Sequence, residues 1–176
     1  MAGRKTGPGM SLVEQHYETE DLHPIDIVES LAEHHDWDFD RIADDQIAMA
    51  VEGQWRTYSV TLAWSHYDET LRLVMTFDME PPAHRVPALH AVLNAANDKC
   101  WTGAFTHWAQ QNLLVYRYAL VLSGGALAGP EQIDRMLTTA FLNCERFYPA
   151  FQLATWGEEA PEAAIQVAIA EAYGRA

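Results

Sequence analysis

The stretch WRTYSVTLAWSHYDETLRLVMTFDM, residues 55–79, decides the fold of this chain. Its first part, Trp55 to Trp64, is rich in the β-branched and aromatic residues that favour strands. After a polar connection, apolar residues occupy every second position, so they share one face of a second strand. They are Leu71, Leu73, Met75, Phe77 and Met79. The stretch therefore predicts two neighbouring antiparallel strands.

The residues before this stretch predict a helix and two further strands. Pro24 suits the first position of a helix, where its missing N–H costs nothing. From Trp37 the period changes to two, which is typical of a strand, and residues 47–51 predict the next strand. Between Pro24 and Trp37 the apolar residues recur at helical spacing; they are Ile25, Val28, Leu31 and Ala32. Together with residues 55–79, these segments predict an antiparallel meander.

The residues after the meander predict a helix, a hairpin and a second, longer helix. Two strands are expected over residues 100–107 and 113–123. A long amphipathic helix begins at Pro130, and Pro149 is expected to kink or end it. The helix that precedes the hairpin carries its apolar stripe at Val86, Leu89, Leu93 and Ala96.

The two ends of the chain complete the predicted architecture. A final helix begins at Pro161 and stops at Gly174. The order αββββαββαα predicts an α+β fold, an antiparallel β-sheet flanked by helices. Residues 1–21 are polar and aperiodic, so we expect a flexible N-terminal tail followed by a single domain over residues 22–176.

Composition limits the classes of function. Of the 176 residues, 49% are hydrophobic and six are tryptophan, which excludes an intrinsically disordered protein. The formal net charge is −14, from 11 Lys and Arg against 25 Asp and Glu, so no binding to nucleic acid is expected. No apolar run approaches the ~20 residues that span a membrane. We expect a soluble protein with neutral or basic partners.

The cysteines and the first residues bear on the compartment. Cys100 and Cys144 are far apart and form no CxxC pair, which favours two reduced thiols over a disulfide. The opening MAGRKTGPGM carries positive charge, but no apolar segment follows it as in a signal peptide. These features predict a cytoplasmic protein.

The stretch EHHDWDFDR, residues 33–41, is the most chemistry-like motif in the chain. Adjacent histidines on a helix point about 100° apart, so His34 and His35 are poorly placed to share one ion. The acids that follow alternate with apolar residues, which is typical of a half-buried strand. We interpret the stretch as a helix end followed by a strand, and expect no metal, no cofactor and no catalytic residue. The alternative is a small metal-dependent or small-molecule-processing enzyme that uses His34, His35, Asp36 and Asp38.

The strand from Leu113 to Leu122 is mainly apolar on both faces, unlike a strand with one side in water. Two accounts remain open. The domain's own helices could cover both faces, or another chain could cover part of one, because large aromatic patches mark interfaces. The second account predicts a self-interface or a client groove on this strand and its hairpin partner. The predicted partner-binding residues are Trp101, Phe105, Trp108, Tyr116 and Tyr118.

Three segments of the chain resemble the YbjN family of bacterial proteins. They are HPIDIVESLAEHHDWDFDRI at residues 23–42, KCWTGAFTHW at residues 99–108 and CERFYPAFQLATWGEEAPEAAI at residues 144–165. The resemblance runs from about His23 to Tyr173. It implies a fold similar to that of type III secretion chaperones, which is usually dimeric. It also implies a regulatory role in sensory transduction rather than catalysis.

The resemblance and the aromatic strand together predict a non-enzymatic, protein-binding module. We expect a chaperone-like homodimer that binds a protein or peptide client in bacterial signalling or stress regulation. In the block CERFYPAFQ, Phe147 and Tyr148 are expected to pack the long helix onto the sheet. Arg146 is the side chain of that block most free to contact a ligand, so it joins the predicted partner-binding residues.

Overall fold

The computed structural model describes residues 22–173, with side chains up to residue 170. The predicted tail, residues 1–21, and the predicted helix stop at Gly174 lie outside the described residues. The helices are α1 Pro24–His34, α2 Val86–Asn97, α3 Pro130–Thr155 and α4 Pro161–Tyr173, with a short 3-10 helix Ala83–Arg85 before α2. The strands are β1 Asp38–Ala43, β2 Gln46–Glu52, β3 Thr57–Ser65, β4 Thr70–Asp78, β5 Ala104–Trp108 and β6 Leu113–Val121.

The strands form a six-stranded antiparallel sheet in the order β1-β2-β3-β4-β6-β5. The first four strands neighbour one another in chain order, as the meander predicts, and β6 lies between β4 and β5. The α+β class and the element order αββββαββαα are confirmed. β5 begins at Ala104 rather than near Cys100, because the chain turns at Gly103, which has a φ of 73°.

The hydrophobic core lies between one face of this sheet and the four helices. Alternate residues of the central strands are buried in it, as Leu71, Leu73 and Met75 are on β4. Every helix contributes to the same cluster, from Val28 on α1 to Ala168 on α4. In the described part of the chain no helix packs on the opposite face of the sheet, so we call it the helix-free face.

The long helix α3 continues through Pro149 to Thr155, so of the two outcomes predicted for Pro149, termination does not occur. Proline inside a helix removes one backbone hydrogen bond and costs about 3 kcal/mol. The neighbouring Phe147 and Phe151 are fully buried, and burial of side chains of this size contributes about 1.5–3 kcal/mol each. Tertiary packing therefore outweighs the local penalty.

Aromatic contacts hold α3 against the sheet, in agreement with the prediction for Phe147 and Tyr148. The ring centroids of Phe77 and Tyr148 are 5.5 Å apart. Phe105 of β5 lies 5.9 Å from Phe147 and 4.9 Å from Phe151. All three pairs are edge-to-face, the arrangement that aromatic quadrupoles favour. The orientation of α3 over β4, β6 and β5 follows from them.

Candidate functional site

The helix-free face of the sheet consists mainly of small side chains. The strand registers align one residue from each strand in a row across the middle of this face. In spatial order this central row is Asp40, Ala48, Thr61, Val74, Arg117 and Ala104. The row therefore has an acid at the β1 end, an arginine near the β5 end, and small residues between them.

Two shallow hollows lie on the helix-free face, one on each half. The acidic hollow, of about 370 Å³, lies over β1, β2 and β3 and is bordered by Asp38 and Asp40. The basic hollow, of about 630 Å³, lies over β4 and β6 and is bordered by Arg117 and by Arg72, which pairs with Asp68 at the same hollow. Opposite charges therefore stand on the two halves of a face whose centre is nearly neutral.

The two arginines of the basic hollow differ in their partners. Nη2 of Arg72 donates to Oδ2 of Asp68 at 2.7 Å. Hydrogen bonds from Ser65 and Arg72 lower the pKa of the Asp68 carboxyl. Arg117 is exposed and makes no hydrogen bond or ion pair with any residue between 22 and 170. Its charge is therefore available to a group outside the domain.

One edge of the sheet, β5, is blocked by α2. The side-chain amide of Asn97 donates to the carbonyl of Phe105 at 3.0 Å and accepts its N–H at 2.7 Å. The amide thus occupies both backbone groups that an added strand needs. A partner is not expected to extend the sheet along β5.

Two of the predicted partner-binding residues flank β5 and are exposed. Trp101 lies in the turn before β5 and is 100% exposed, and Trp108, at the end of β5 on the helix-free face, is 37% exposed. Tryptophan is largely buried in most folded proteins, and exposed apolar side chains of this size mark interaction sites. Both residues remain available to a partner.

Phe105 and Tyr116 do not lie on the surface that was predicted for them. Phe105 is 4% exposed and Tyr116 is fully buried, and their ring centroids are 4.9 Å apart in the core. The face of β6 that carries Tyr116 is covered by α3, because α3 crosses the sheet there. Tyr118 lies on the same face and is partly buried against the core. The domain's own helix thus accounts for one apolar face of β6.

Arg146 is held by packing rather than fully free. Its guanidinium carbon lies 4.9 Å from the ring centroid of Phe147. Its Nε is buried and has no hydrogen-bond partner in the described part of the chain. Burial raises the pKa of the Cys100 thiol, and the charge of Arg146 opposes this effect. A role for Arg146 in partner binding stays a prediction.

Glu145, the neighbour of Arg146, connects α3 to the hairpin between β2 and β3. Oε1 of Glu145 accepts the hydroxyl of Tyr58 at 2.7 Å, and Oε2 accepts the N–H of Gln54 at 2.8 Å. Burial and the hydrogen bond to Glu145 raise the pKa of Tyr58. A side chain at Gly53 would clash with the Glu145 carboxylate. A role for Glu145 could not be predicted from the sequence, because the hairpin that it contacts lies far from it in the chain.

The turn that presents Trp101 is held by Tyr116. The Tyr116 hydroxyl donates to the carbonyl of Thr102 and accepts Nδ2 of Asn143 at 3.0 Å. Burial raises the pKa of Tyr116 to about 12. Gly103 has positive φ, and a Cβ there would clash with the Tyr116 ring. Only glycine fits at this point of the turn.

His34, His35, Asp36 and Asp38 do not converge on one point. Nε2 of His35 lies 2.8 Å from Oδ1 of Asp134, and its ring stacks on Trp37 at 4.5 Å. Asp38 lies on the opposite, helix-free face of the sheet. Among residues 22–170, no group of three or more His, Cys, Asp or Glu side chains is placed to hold a metal ion. The metal-enzyme alternative therefore lacks the convergence that it requires.

A second histidine pair joins α2 to β5. Nε2 of His90 lies 3.2 Å from Nδ1 of His107. Nε2 of His107 is buried without a hydrogen-bond partner in the part of the chain that is described. Burial, together with the charge of His90, lowers the pKa of His107. The folded protein therefore favours the neutral form of His107.

Comparison with known proteins gives the family. The sequence profile of the family described as "Putative bacterial sensory transduction regulator", YbjN, matches residues 24–153. The chain belongs to the YbjN family. The match covers the six strands, α1, α2 and most of α3. No curated protein sequence matches the chain.

A solved structure of this family has a similar fold. It is the "Crystal structure of YbjN, a putative transcription regulator from E. coli", with a TM-score of 0.50 and 15% sequence identity. The similarity covers 87% of this chain and 93% of that chain. At this identity the likeness concerns the fold alone.

Two of the three YbjN-like segments hold the anchoring contacts of the domain. The segment of residues 99–108 contains Gly103 and Phe105, and the segment of residues 144–165 contains Glu145 and the buried Phe147. The YbjN-like residues of these two segments therefore serve mainly in packing. No helix in the described part of the chain is long and apolar enough to cross a membrane.

Proposed function

We propose that this YbjN-family chain is a non-enzymatic regulatory module that binds other protein chains. It acts in the cytoplasm as a homodimer and receives a protein or peptide client, in the manner of a chaperone. The pathway is one of bacterial signalling or stress regulation. The description of the family supports the regulatory part of this proposal.

The helix-free face of the sheet is the observation that carries the proposal. Sheets in small domains bury one face against helices and solvate the other with polar side chains. Here the central row of the solvated face has the small residues Ala48, Thr61 and Val74 at its middle, and the charges of that row stand toward its two ends. A flat, small-residue centre with charged borders resembles the core and rim of a protein interface.

The exposed tryptophans support a client beside that face. Trp101 and Trp108 stand at the two ends of β5. Tryptophan is enriched among the few residues that carry most of the binding energy of interfaces. The net charge of −14 favours a neutral or basic client over an acidic one.

The homodimer is tested by measuring molar mass. Light scattering coupled to size-exclusion chromatography, over a concentration series with and without chelator, is expected to give twice the 19.8 kDa of one chain in both conditions. A mass that stays at one chain at every concentration contradicts the homodimer. A mass that changes with chelator supports the metal-dependent alternative instead.

The client site is tested with a matched pair of variants. Trp101→Asp and Tyr67→Asp replace side chains that are 100% and 99% exposed, so neither change removes core packing. After chemical cross-linking in a bacterial lysate, proteins captured by the wild type and by Tyr67→Asp are expected to be lost with Trp101→Asp. Equal capture by both variants excludes Trp101 from the client site.

A further inference from the structure

We propose that two copies of this chain pair through their helix-free faces, with the central rows of the two sheets opposed. Arg117 of each copy then enters the acidic hollow of the other, beside the partner's Asp38 and the partner's Asp40. The inference rests on the proposed homodimer and names its interface.

The charges of the central row are complementary to those of a second copy whose strand order runs the opposite way. Asp40 on β1 and Arg117 on β6 lie on opposite sides of the centre of the sheet, between β3 and β4. Four strand steps separate them, roughly 19 Å. A two-fold axis parallel to the strands, running between the two sheets, keeps the row opposite itself but reverses the strand order. Each Arg117 then stands over the partner's Ala48, which lines the acidic hollow one strand away from the partner's Asp40, so its long side chain can reach that carboxylate.

Charge selects this orientation over the other face-to-face arrangement. A two-fold axis perpendicular to the strands places β1 against the partner's β1. With this axis along the central row, Asp40 faces its own copy, and so does Arg117. Like charges in contact repel, and the repulsion grows as water is removed. The axis parallel to the strands turns the same residues into two ion pairs.

The side chains of the face fit close packing of two sheets. Packed sheets lie about 10 Å apart, which requires small or interdigitating side chains. The middle of the central row supplies Ala48, Thr61 and Val74, none of which fills that gap. The acidic hollow of about 370 Å³ leaves room for a long guanidinium side chain. Arg117 has no partner within its own described chain that it must give up.

The size of the face is that of a stable interface. Nine residues in β4 and in β6, at roughly 3.3 Å each, and six strands at roughly 4.8 Å spacing give a face of roughly 25 by 30 Å. This is roughly 750 Å², and standard interfaces bury about 800 Å² per partner. A second copy of the chain covers the face without any additional element.

Charge reversal and charge exchange test the pairing. Arg117→Glu and Asp40→Arg are each expected to raise the dimer dissociation constant about tenfold or more, because each places like charges in contact. The double variant Asp40→Arg/Arg117→Glu restores opposite charges and is expected to return the constant to near the wild-type value. Arg135→Glu makes the same change on an exposed position of α3 and is expected to leave it unchanged.

The outcomes separate this inference from the homodimer itself. A dimeric wild type that is insensitive to Arg117→Glu and Asp40→Arg overturns the proposed interface but not the homodimer. A double variant that dissociates as readily as the single variants also overturns it. A wild type that is monomeric at every concentration overturns both. Asp40 and Arg117 are exposed, so the variants should fold, and far-ultraviolet circular dichroism checks this.

Discussion

The hydroxyl of Tyr58 on β3 donates a hydrogen bond of 2.7 Å to Oε1 of Glu145 on α3. The second carboxylate oxygen accepts the backbone N–H of Gln54, at 2.8 Å, in the turn before β3. Tyr58 is fully buried, so its hydroxyl depends on this carboxylate for its hydrogen bond. One side chain of the long helix therefore fixes a strand and the turn that leads into it.

Replacing Glu145 by alanine is expected to destabilise the fold by about 3 kcal/mol. The change leaves the buried Tyr58 hydroxyl without an acceptor, and an unsatisfied buried group costs about 1–3 kcal/mol. The N–H of Gln54 loses the same side chain. Urea unfolding gives the free energy of unfolding. Glu80→Ala, at an exposed position, is the control and is expected to change it by less than about 0.5 kcal/mol. Equal losses in the two variants contradict the anchoring role of Glu145.

Gly103→Ala is expected to destabilise the fold more than Gly124→Ala, although both glycines have positive φ. Their φ values are 73° and 72°. At Gly124 a Cβ meets no atom within 4 Å, so only backbone strain of about 1 kcal/mol applies. At Gly103 the Cβ clashes with the ring of Tyr116, and overpacking adds about 1–3 kcal/mol. Thermal and urea unfolding of both variants give the difference. If both variants lose the same free energy of unfolding, the clash with Tyr116 does not affect stability.

Asn97→Ala is expected to lower stability by about 1–3 kcal/mol and to increase aggregation. The change leaves both the N–H and the carbonyl of Phe105 unpaired at the edge of the sheet. It also opens β5 to pairing with another chain. Asn94→Ala, at an exposed position of the same helix, is the control. Urea unfolding and light scattering at high concentration measure the two effects. Unchanged scattering of Asn97→Ala would show that the edge is protected by other means.

The stability of the fold is expected to fall as the pH drops below about 6.5. The folded state holds the pKa of His107 below its usual value, so the unfolded chain binds this proton first as the pH falls. Well above pH 6.5 His107 is neutral in both the folded and the unfolded state, so its protonation does not change the stability there. His107→Gln should make the profile of unfolding free energy between pH 8 and pH 5 flatter. His84→Gln, at an exposed position, should keep the wild-type slope. A steep slope in His107→Gln assigns the loss of stability to other groups.

The alternation of residues 71–79 and the helix starts at Pro24, Pro130 and Pro161 could be read correctly from the sequence. Each of these signals is local, because side-chain direction follows from the backbone period and proline acts on its own turn. The predictions for Phe105 and Tyr116 failed for the opposite reason. Two apolar faces on one strand do not tell which face the helices will cover.

The candidate site could be predicted only in part. Trp101 and Trp108 are exposed, as a partner-binding role requires, and that role stays a prediction. The alignment of Asp40 and Arg117 in one row could not be predicted from the sequence, because it depends on the register of every strand between them. Registers are set by contacts between distant segments of the chain.

By itself, the sequence determined the order of helices and strands, the buried face of clearly alternating strands such as β4, and the family. These follow from periodicity and local motifs, which the backbone converts directly into side-chain direction. Only the tertiary structure decided that all four helices share one face of the sheet. That choice left the opposite face open and placed Arg117 in line with Asp40, because long-range packing, not local preference, selects strand order and register.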